Sequence, residues 1–379
     1  MKTRFAMAIL WIMLLLSAVH AQTSDGFPKL PQVPHTKEFS DDPTSTKFTF
    51  IAAGDNRPGG KSNAQTPTLA YIMKHSQRHN PSFIIWAGDT ILGHRIAGQP
   101  MHHKRLMKQY NDFFRIAKLA GVPVFNSPGN HEMDRIDHTT QNGKKGTIEI
   151  PDKRMEALYL EMYKYPAGAP PYGAFNYGNS RFIAVDTEEI ATGLTLQSAG
   201  KTVAKGLKLD PGYVSQQQID ALTADLNAHQ DKDYVFVFMH HPIMPARSGS
   251  RLNEENAEKL QQLFAQYKNV SYVIAAHEHI YFNATGKTLQ PAPRASRAPG
   301  GPGYLVTGGA GAPLDKCPTP APKTCAQAYH YLVFKVDGPQ VTVDVVLVPV
   351  KLNQPKTATK SKTNGNSHPA TGTVVGTRR

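Results

Sequence analysis

The chain has few cysteines and, after its first residues, no long apolar run. Cys317 and Cys325 are the only two cysteines in 379 residues, which excludes a disulfide-stapled scaffold and a thiolate-rich metal site. They lie close together in a segment rich in proline and lysine, so a bond between them would pin one loop and not the fold. Their spacing matches no common zinc motif, which leaves a metal role as the lesser alternative to a loop disulfide. No segment beyond residue 21 is long and apolar enough to span a bilayer, a task that needs roughly 20 apolar residues. No internal repeat is found, which argues against a repeat architecture. Residues 351–379 contain no acid, and no aromatic residue follows Leu352, so this tail cannot bury enough surface to order itself.

What is present begins with Lys2 and Arg4 ahead of an apolar run over 5–16 and the small-x-small site Val19-His20-Ala21. This is the pattern of a signal peptide over 1–21, with the mature chain starting near Gln22. A membrane anchor is the competing reading, but the run is shorter than a span requires. Export implies a secreted or periplasmic protein and an oxidising compartment in which Cys317 and Cys325 pair. The net charge of +13 suggests a polyanion partner until it is divided along the chain. Lys2 and Arg4 leave with the leader, and the tail holds Lys351, Lys356, Lys360, Lys362, Arg378 and Arg379, so the span 22–350 keeps only +5. That bias suits an anionic substrate or ordinary solubility and gives no ground for nucleic-acid binding.

Five short apolar runs, at 48–53, 83–87, 122–125, 235–239 and 272–276, each end abruptly in a polar loop. They are continuous and not alternating, which suits strands covered on both faces. Helical stripes separate several of them. One carries Leu106, Tyr110, Phe113, Phe114 and Ala117; a second follows the capping box Ser215-Gln216-Gln217-Gln218; a third starts near Asn253 with Glu254 and Glu255 in its first turn. A further set of strands at 174–177, 181–186, 304–307, 331–336 and 341–348 lacks intervening helices. The expected fold is α/β, a four-layer αββα sandwich of two mixed sheets flanked by helices. The expected organisation is a signal peptide over 1–21, an N-terminal extension over 22–46, one folded domain over 47–350 and a disordered basic tail over 351–379. Residues 190–212 read as an inserted surface loop near the site.

Each of the five apolar runs delivers metal-ligating residue types at its end: Asp55, Asp89, Asn130-His131, His240-His241 and His277-Glu278-His279. One Gly-Asp after a strand is usually a turn. Five such ends together fit the rule that α/β sheets bind ligands above the carboxyl ends of their strands. Carboxylate, amide and imidazole donors suit iron, manganese or zinc without choosing among them.

The ordered blocks resemble the calcineurin-like metallophosphoesterase superfamily, which includes purple acid phosphatases and many exported bacterial phosphatases. Gly129-Asn130-His131-Glu132 and the His277/His279 pair carry the resemblance most specifically, and the blocks match across about Phe48 to Pro313. The resemblance makes 47–350 a metallophosphoesterase domain that hydrolyses small phosphomonoesters or phosphodiesters with two divalent or trivalent metal ions. It implies that Asp55 and His279 bind the first metal, Asp89 bridges, and Asn130, His240 and His277 bind the second. A metal-bound hydroxide would attack phosphorus while His131, oriented by Glu132, protonates the leaving group. Of the adjacent histidines, His240 is the ligand and His241 the alternative, with a role in orienting a ligand as its other reading.

Two positions depart from the family pattern. Arg57 stands where most members have a histidine ligand, and Leu92 where purple acid phosphatases have a tyrosine. Both familiar ways of completing the first metal's shell are therefore missing. His94 could fill the gap, or be an ordinary loop histidine. Arg57 is assigned to the substrate phosphate, because its planar fork of donors suits an anion, with a salt bridge at the loop base as the other reading. Two other readings of the chain remain, a metal- or phosphate-binding module with weakened catalysis and a basic exported nuclease.

Overall fold

The computed structural model describes residues 26–58, 64–94, 99–141, 144–189, 212–247, 250, 252–297 and 300–349. The expected leader, the expected surface loop over 190–212 apart from Gly212, and the tail over 351–379 lie outside these residues. The strands are β1 (Lys47–Ala53), β2 (Phe83–Trp86), β3 (Val124–Asn126), β4 (Asp134–Gln141), β5 (Lys144–Pro151), β6 (Gly173–Tyr177), β7 (Ser180–Ala184) and β8 (Tyr234–Phe238). They continue with β9 (Val270–Ala275), β10 (Tyr281–Asn283), β11 (Arg294–Ala295), β12 (Gly303–Thr307), β13 (Cys325–Ala326), β14 (His330–Asp337) and β15 (Gln340–Leu347). The helices are α1 (Pro67–His75), α2 (His103–Ala117), α3 (Asn130–Met133), α4 (Lys153–Met162), α5 (Gln216–Ala228) and α6 (Glu254–Gln266).

The strands form two mixed sheets and a hairpin. One sheet runs β11-β15-β14-β1-β2-β3 and the other β13-β10-β12-β9-β8-β7-β6, with β4 and β5 paired apart. β1, β2 and β3 are parallel, as are β7, β8, β9 and β12. The five apolar runs thus split between the sheets: three end on the first and two on the second. Alternate residues of each run serve different layers. Phe50 and Ala52 point between the sheets, whereas Ile51 and Ala53 pack under α1, α2 and α4. On the other side Ile183, Val237 and Val273 pack under α5 and α6. Apolar contact therefore runs from helices to sheet, sheet to sheet, and sheet to helices, as the continuous runs required.

Aromatic rings fill the space between the sheets. Phe50 stacks on Phe83 and Phe334 of its own sheet, at centroid distances of 5.5 and 4.6 Å. It meets Phe182 and Phe236 of the other sheet edge-on at 5.0 and 4.9 Å. Such pairs add to the burial of their large apolar areas.

Several features differ from the sequence expectations. The third run begins pairing at Val124, not at residue 122, because Pro123 before it has no N–H to give to a ladder. Ser215 caps α5 by accepting from Gln218 N at 3.2 Å, but the Gln218 side chain does not reach back as a capping box would. It braces the end of β7, donating to Asp186 O and accepting from Asp186 N, each at 2.9 Å. The β4/β5 hairpin was not foreseen, since its polar strands show little apolar alternation. The N-terminal extension is tied to both sheets: Leu30 N donates to Ala174 O and Val33 N to Val124 O, at 3.0 and 2.7 Å. Phe39 adds its ring to those of Phe125 and Phe175. No helix of the described residues is long and apolar enough to cross a membrane.

Phe50→Ala is expected to remove about 3–5 kcal/mol of stability through the cavity it leaves. Urea unfolding followed by tryptophan fluorescence checks this, with a lowered midpoint and an unchanged slope as the result.

Candidate metal centre

Four of the five strand ends are tied in neighbouring pairs by their backbones. Asp55 N donates to Gly88 O, Arg57 N to Asp89 O, and Ala276 N to His240 O, at 3.0 to 3.2 Å. Asp55, Asp89 and His277 all have positive φ, at 61°, 56° and 67°. Three expected ligands thus sit in a region that side chains avoid, the kind of cost that tends to gather at functional sites. Gly88, also at positive φ, leaves no room for a side chain, since a Cβ there would lie 2.7 Å from His240 Nδ1.

These turns bring the expected residues together. The ligand atoms of Asp55, Asp89 and His279 all lie within 4.8 Å of one another, and all three residues are buried. His279 Nε2 is 3.7 Å from Asp55 Oδ1. Beside them, His240 Nε2 lies 3.4 Å from Asp89 Oδ1, 3.0 Å from Asn130 Oδ1 and 3.3 Å from His277 Nδ1. His131 Nε2 is 3.7 Å from Asp89 Oδ2. Arg57 lies at the edge, 21% exposed, with Nε 3.3 Å from Asp89 Oδ2.

Three histidines repeat one arrangement. His131 Nδ1 lies 2.7 Å from Leu92 O, His240 Nδ1 2.8 Å from Ala87 O, and His279 Nδ1 2.7 Å from Pro313 O. A carbonyl only accepts, so each Nδ1 carries a proton and each ring points its Nε2 toward the aspartates. The Asn130 amide is oriented in the same way. Its Nδ2 donates to Glu149 Oε2 at 2.9 Å, which leaves Oδ1 facing His240. The centre is thus a set of acceptors aimed at one another. Both Asp55 oxygens are buried without a hydrogen-bond partner. Burial, then the nearby Asp89, pushes the Asp55 carboxyl well above its ordinary range. Burial also works to raise Asp89, but His240 and Arg57 outweigh it and hold Asp89 low. Burial and then Arg57 bring His279 down to about 4, which keeps it neutral as a metal ligand must be. Cations among these atoms would relieve the repulsion, so the residues present fit a metal site.

Two glutamates outside the ligand set hold the loops. Glu132 does not orient His131, contrary to the sequence expectation; the Leu92 carbonyl does. Instead Glu132 accepts from Asp89 N and Gly129 N at 2.9 Å, from Thr90 N at 2.7 Å, from Thr90 Oγ1 at 2.8 Å and from Ile91 N at 3.1 Å. Glu278 accepts from Ala246 N and Arg247 N, both at 2.7 Å, in the loop after β8. His94 is not in the cluster and faces the Gln99 carbonyl at 3.1 Å. His241 is buried with Nδ1 2.6 Å from Glu188 Oε1, and its ring lies 4.0 Å from that of His277. Glu188 was not singled out from sequence, although the acidic run Asp186-Thr187-Glu188-Glu189 after a predicted strand was a visible signal.

Residues 48–281 match the family of calcineurin-like phosphoesterases, and the chain belongs to that family. Its fold is similar to that of a purple acid phosphatase from yellow lupin (Lupinus luteus) seeds, at 16% identity and a TM-score of 0.55 over 84% of this chain. The chain spans little more than half of the lupin enzyme, 58% of its length. It is also similar to a dimetal phosphatase from Danio rerio, at 15% identity and a TM-score of 0.53, over 81% of this chain and 97% of that one. No curated protein matches the sequence.

Burial, then Asp89, pushes Glu132 up to about 8, while its five donors favour the charged form. Glu132→Gln turns an amide donor toward some of those donors and is expected to lower stability by about 1–3 kcal/mol for each one left unpaired. Thermal melting of the purified variant measures this.

Proposed function

We propose that the chain is an exported dinuclear phosphoesterase acting on small phosphomonoesters or phosphodiesters. The observation that carries the reading is the set of facing acceptors, above all the buried Asp55 carboxylate with neither oxygen hydrogen-bonded. Asp55 and His279 would hold the first ion, Asp89 would bridge, and Asn130, His240 and His277 would hold the second. When bound, ions of this kind neutralise phosphate oxygens and lower the pKa of a water, with iron, manganese and zinc all suited to the donors. The export reading is supported by the leader pattern and by the Cys317–Cys325 disulfide.

The protein's own groups supply position and a proton. His131 keeps one proton on Nδ1 against Leu92 O, so the proton it gives to a leaving alkoxide sits on Nε2 of the imidazolium. Asp89 Oδ2 lies 3.7 Å from that nitrogen. Arg57 reaches Asp89 through Nε and stays partly exposed, which suits a contact to a phosphate oxygen. The same contact supports a second reading. A guanidinium beside Asp89 replaces part of the charge of a first ion, as in a metal- or phosphate-binding module with weakened catalysis. A nuclease reading rests on the basic tail and gains nothing from the site.

Metal analysis of the purified chain, joined to assays on aryl phosphate mono- and diesters with and without chelator, separates these readings. Two ions per chain and chelator-sensitive hydrolysis are expected; one ion and little turnover favour the module. His131→Ala is expected to lower kcat by roughly 10²–10⁴-fold with metal content unchanged. Protein with no metal above trace after supplementation, or a variant as fast as the wild type, overturns the mechanism. Arg57→Ala is expected to raise KM for the monoester more than it lowers kcat, as steady-state kinetics would show.

A further inference from the structure

The chain between β12 and β14 touches both residues assigned to the first ion. Gly308 opens it against the Asp55 side chain, where a Cβ would lie 2.5 Å from Asp55 Oδ2. Ala310 N donates to Gly54 O at 3.0 Å and Ala312 N to Asp55 O at 2.8 Å, so the segment lies along the Asp55 loop. It then turns to His279. Pro313 O accepts from His279 Nδ1 at 2.7 Å, Asp315 Oδ2 accepts from His279 N at 3.1 Å, and Asp315 N donates to His279 O at 3.1 Å. Every polar group of His279 except Nε2 is held by this strap. Arg247 Nη2 donates to Asp315 Oδ2 at 2.8 Å while its Nε lies 3.3 Å from Glu278 Oε1, which joins the strap to the loops after β8 and β9.

The far end of the strap is fixed covalently. Cys317 follows Asp315 by two residues and is bonded to Cys325. Cys325 begins β13, which pairs with β10 through Phe282, three residues past His279. The disulfide therefore returns the strap to the strand that His279 leads into, closing a short ring around that ligand. With the bond open, only the chain over 316–324 connects Asp315 to β13.

We propose that this strap, through Pro313 and Asp315, is the positioning element of the first metal site, and that the Cys317–Cys325 disulfide makes retention of that ion depend on oxidation. The inference rests on the dinuclear reading above. Its physical basis is that a ligand histidine binds well only when its other ring nitrogen is fixed, and loss of such a partner costs roughly 10–100-fold in metal affinity. The strap holds a site that lacks both a histidine at position 57 and a tyrosine at position 92, so small losses of order in His279 weigh more there than in a fully furnished shell.

The test is a chelator titration of the zinc-loaded full chain, reading zinc released per chain, on five samples: oxidised, chemically reduced, Cys317→Ser/Cys325→Ser, Asp315→Ala and Asp315→Asn. The oxidised protein is expected to release its two ions in two steps. In the reduced, double-serine and Asp315→Ala proteins the first step moves to roughly tenfold lower chelator, the second stays in place, and the melting temperature of the metal-free protein is unchanged. Asp315→Asn, which keeps an acceptor for the His279 N–H, restores most of the affinity. Identical release from oxidised, reduced and Asp315→Ala proteins overturns the inference and leaves the dinuclear reading intact. An oxidised protein that holds no zinc overturns both.

Discussion

Face-to-face packing of two sheets on an aromatic layer is the constraint on which the site depends. Asp55, Asp89 and Asn130 follow strands of one sheet, and His240, His277 and His279 follow strands of the other. No single sheet holds a complete set of donors. Phe50, wedged among Phe83, Phe334, Phe182 and Phe236, joins the two sheets beneath those strand ends. Dense packing of this kind transmits small displacements, so the distances between donors are set far below the site itself.

At the strand ends the protein accepts local cost for convergence. Positive φ at Asp55, Asp89 and His277 turns three side chains inward, and carbonyl partners on three Nδ1 atoms turn the opposite ring nitrogens inward as well. The outcome is a buried group of acceptors that repel one another. Glu132 and Glu278 counter this from outside by collecting backbone N–H groups of the neighbouring loops. The loops that carry the centre are thus held by groups outside the expected ligand set.

The departures at positions 57 and 92 have different structural meanings. Arg57 brings a positive charge against Asp89, which partly balances the buried carboxylates. Leu92 contributes its backbone carbonyl to fix His131, so this position serves the site without a ligating side chain. Main-chain roles of this sort leave no mark in residue type.

Residue order alone was enough to reveal the strand-end blocks, because buried strands need continuous apolar runs and metal ligands are few in kind. The same logic reached the α/β class, the helices after Ser215 and Asn253, and a disulfide between the only two cysteines. What sequence could not supply was contact between segments distant in the chain. The β4/β5 hairpin that presents Glu149 to Asn130 has too little apolar alternation to announce it. Glu132 was read as a partner of His131 because it is adjacent in sequence, yet it faces the Asp89 loop, since a helix turn points neighbouring side chains in different directions. His94 was weighed as a ligand by proximity to Asp89, and backbone geometry carried it to the Gln99 carbonyl. The sequence by itself determined which residue types reach the ends of which strands. Only the tertiary structure decided which of them face each other, because that depends on the packing of two sheets whose strands are far apart along the chain.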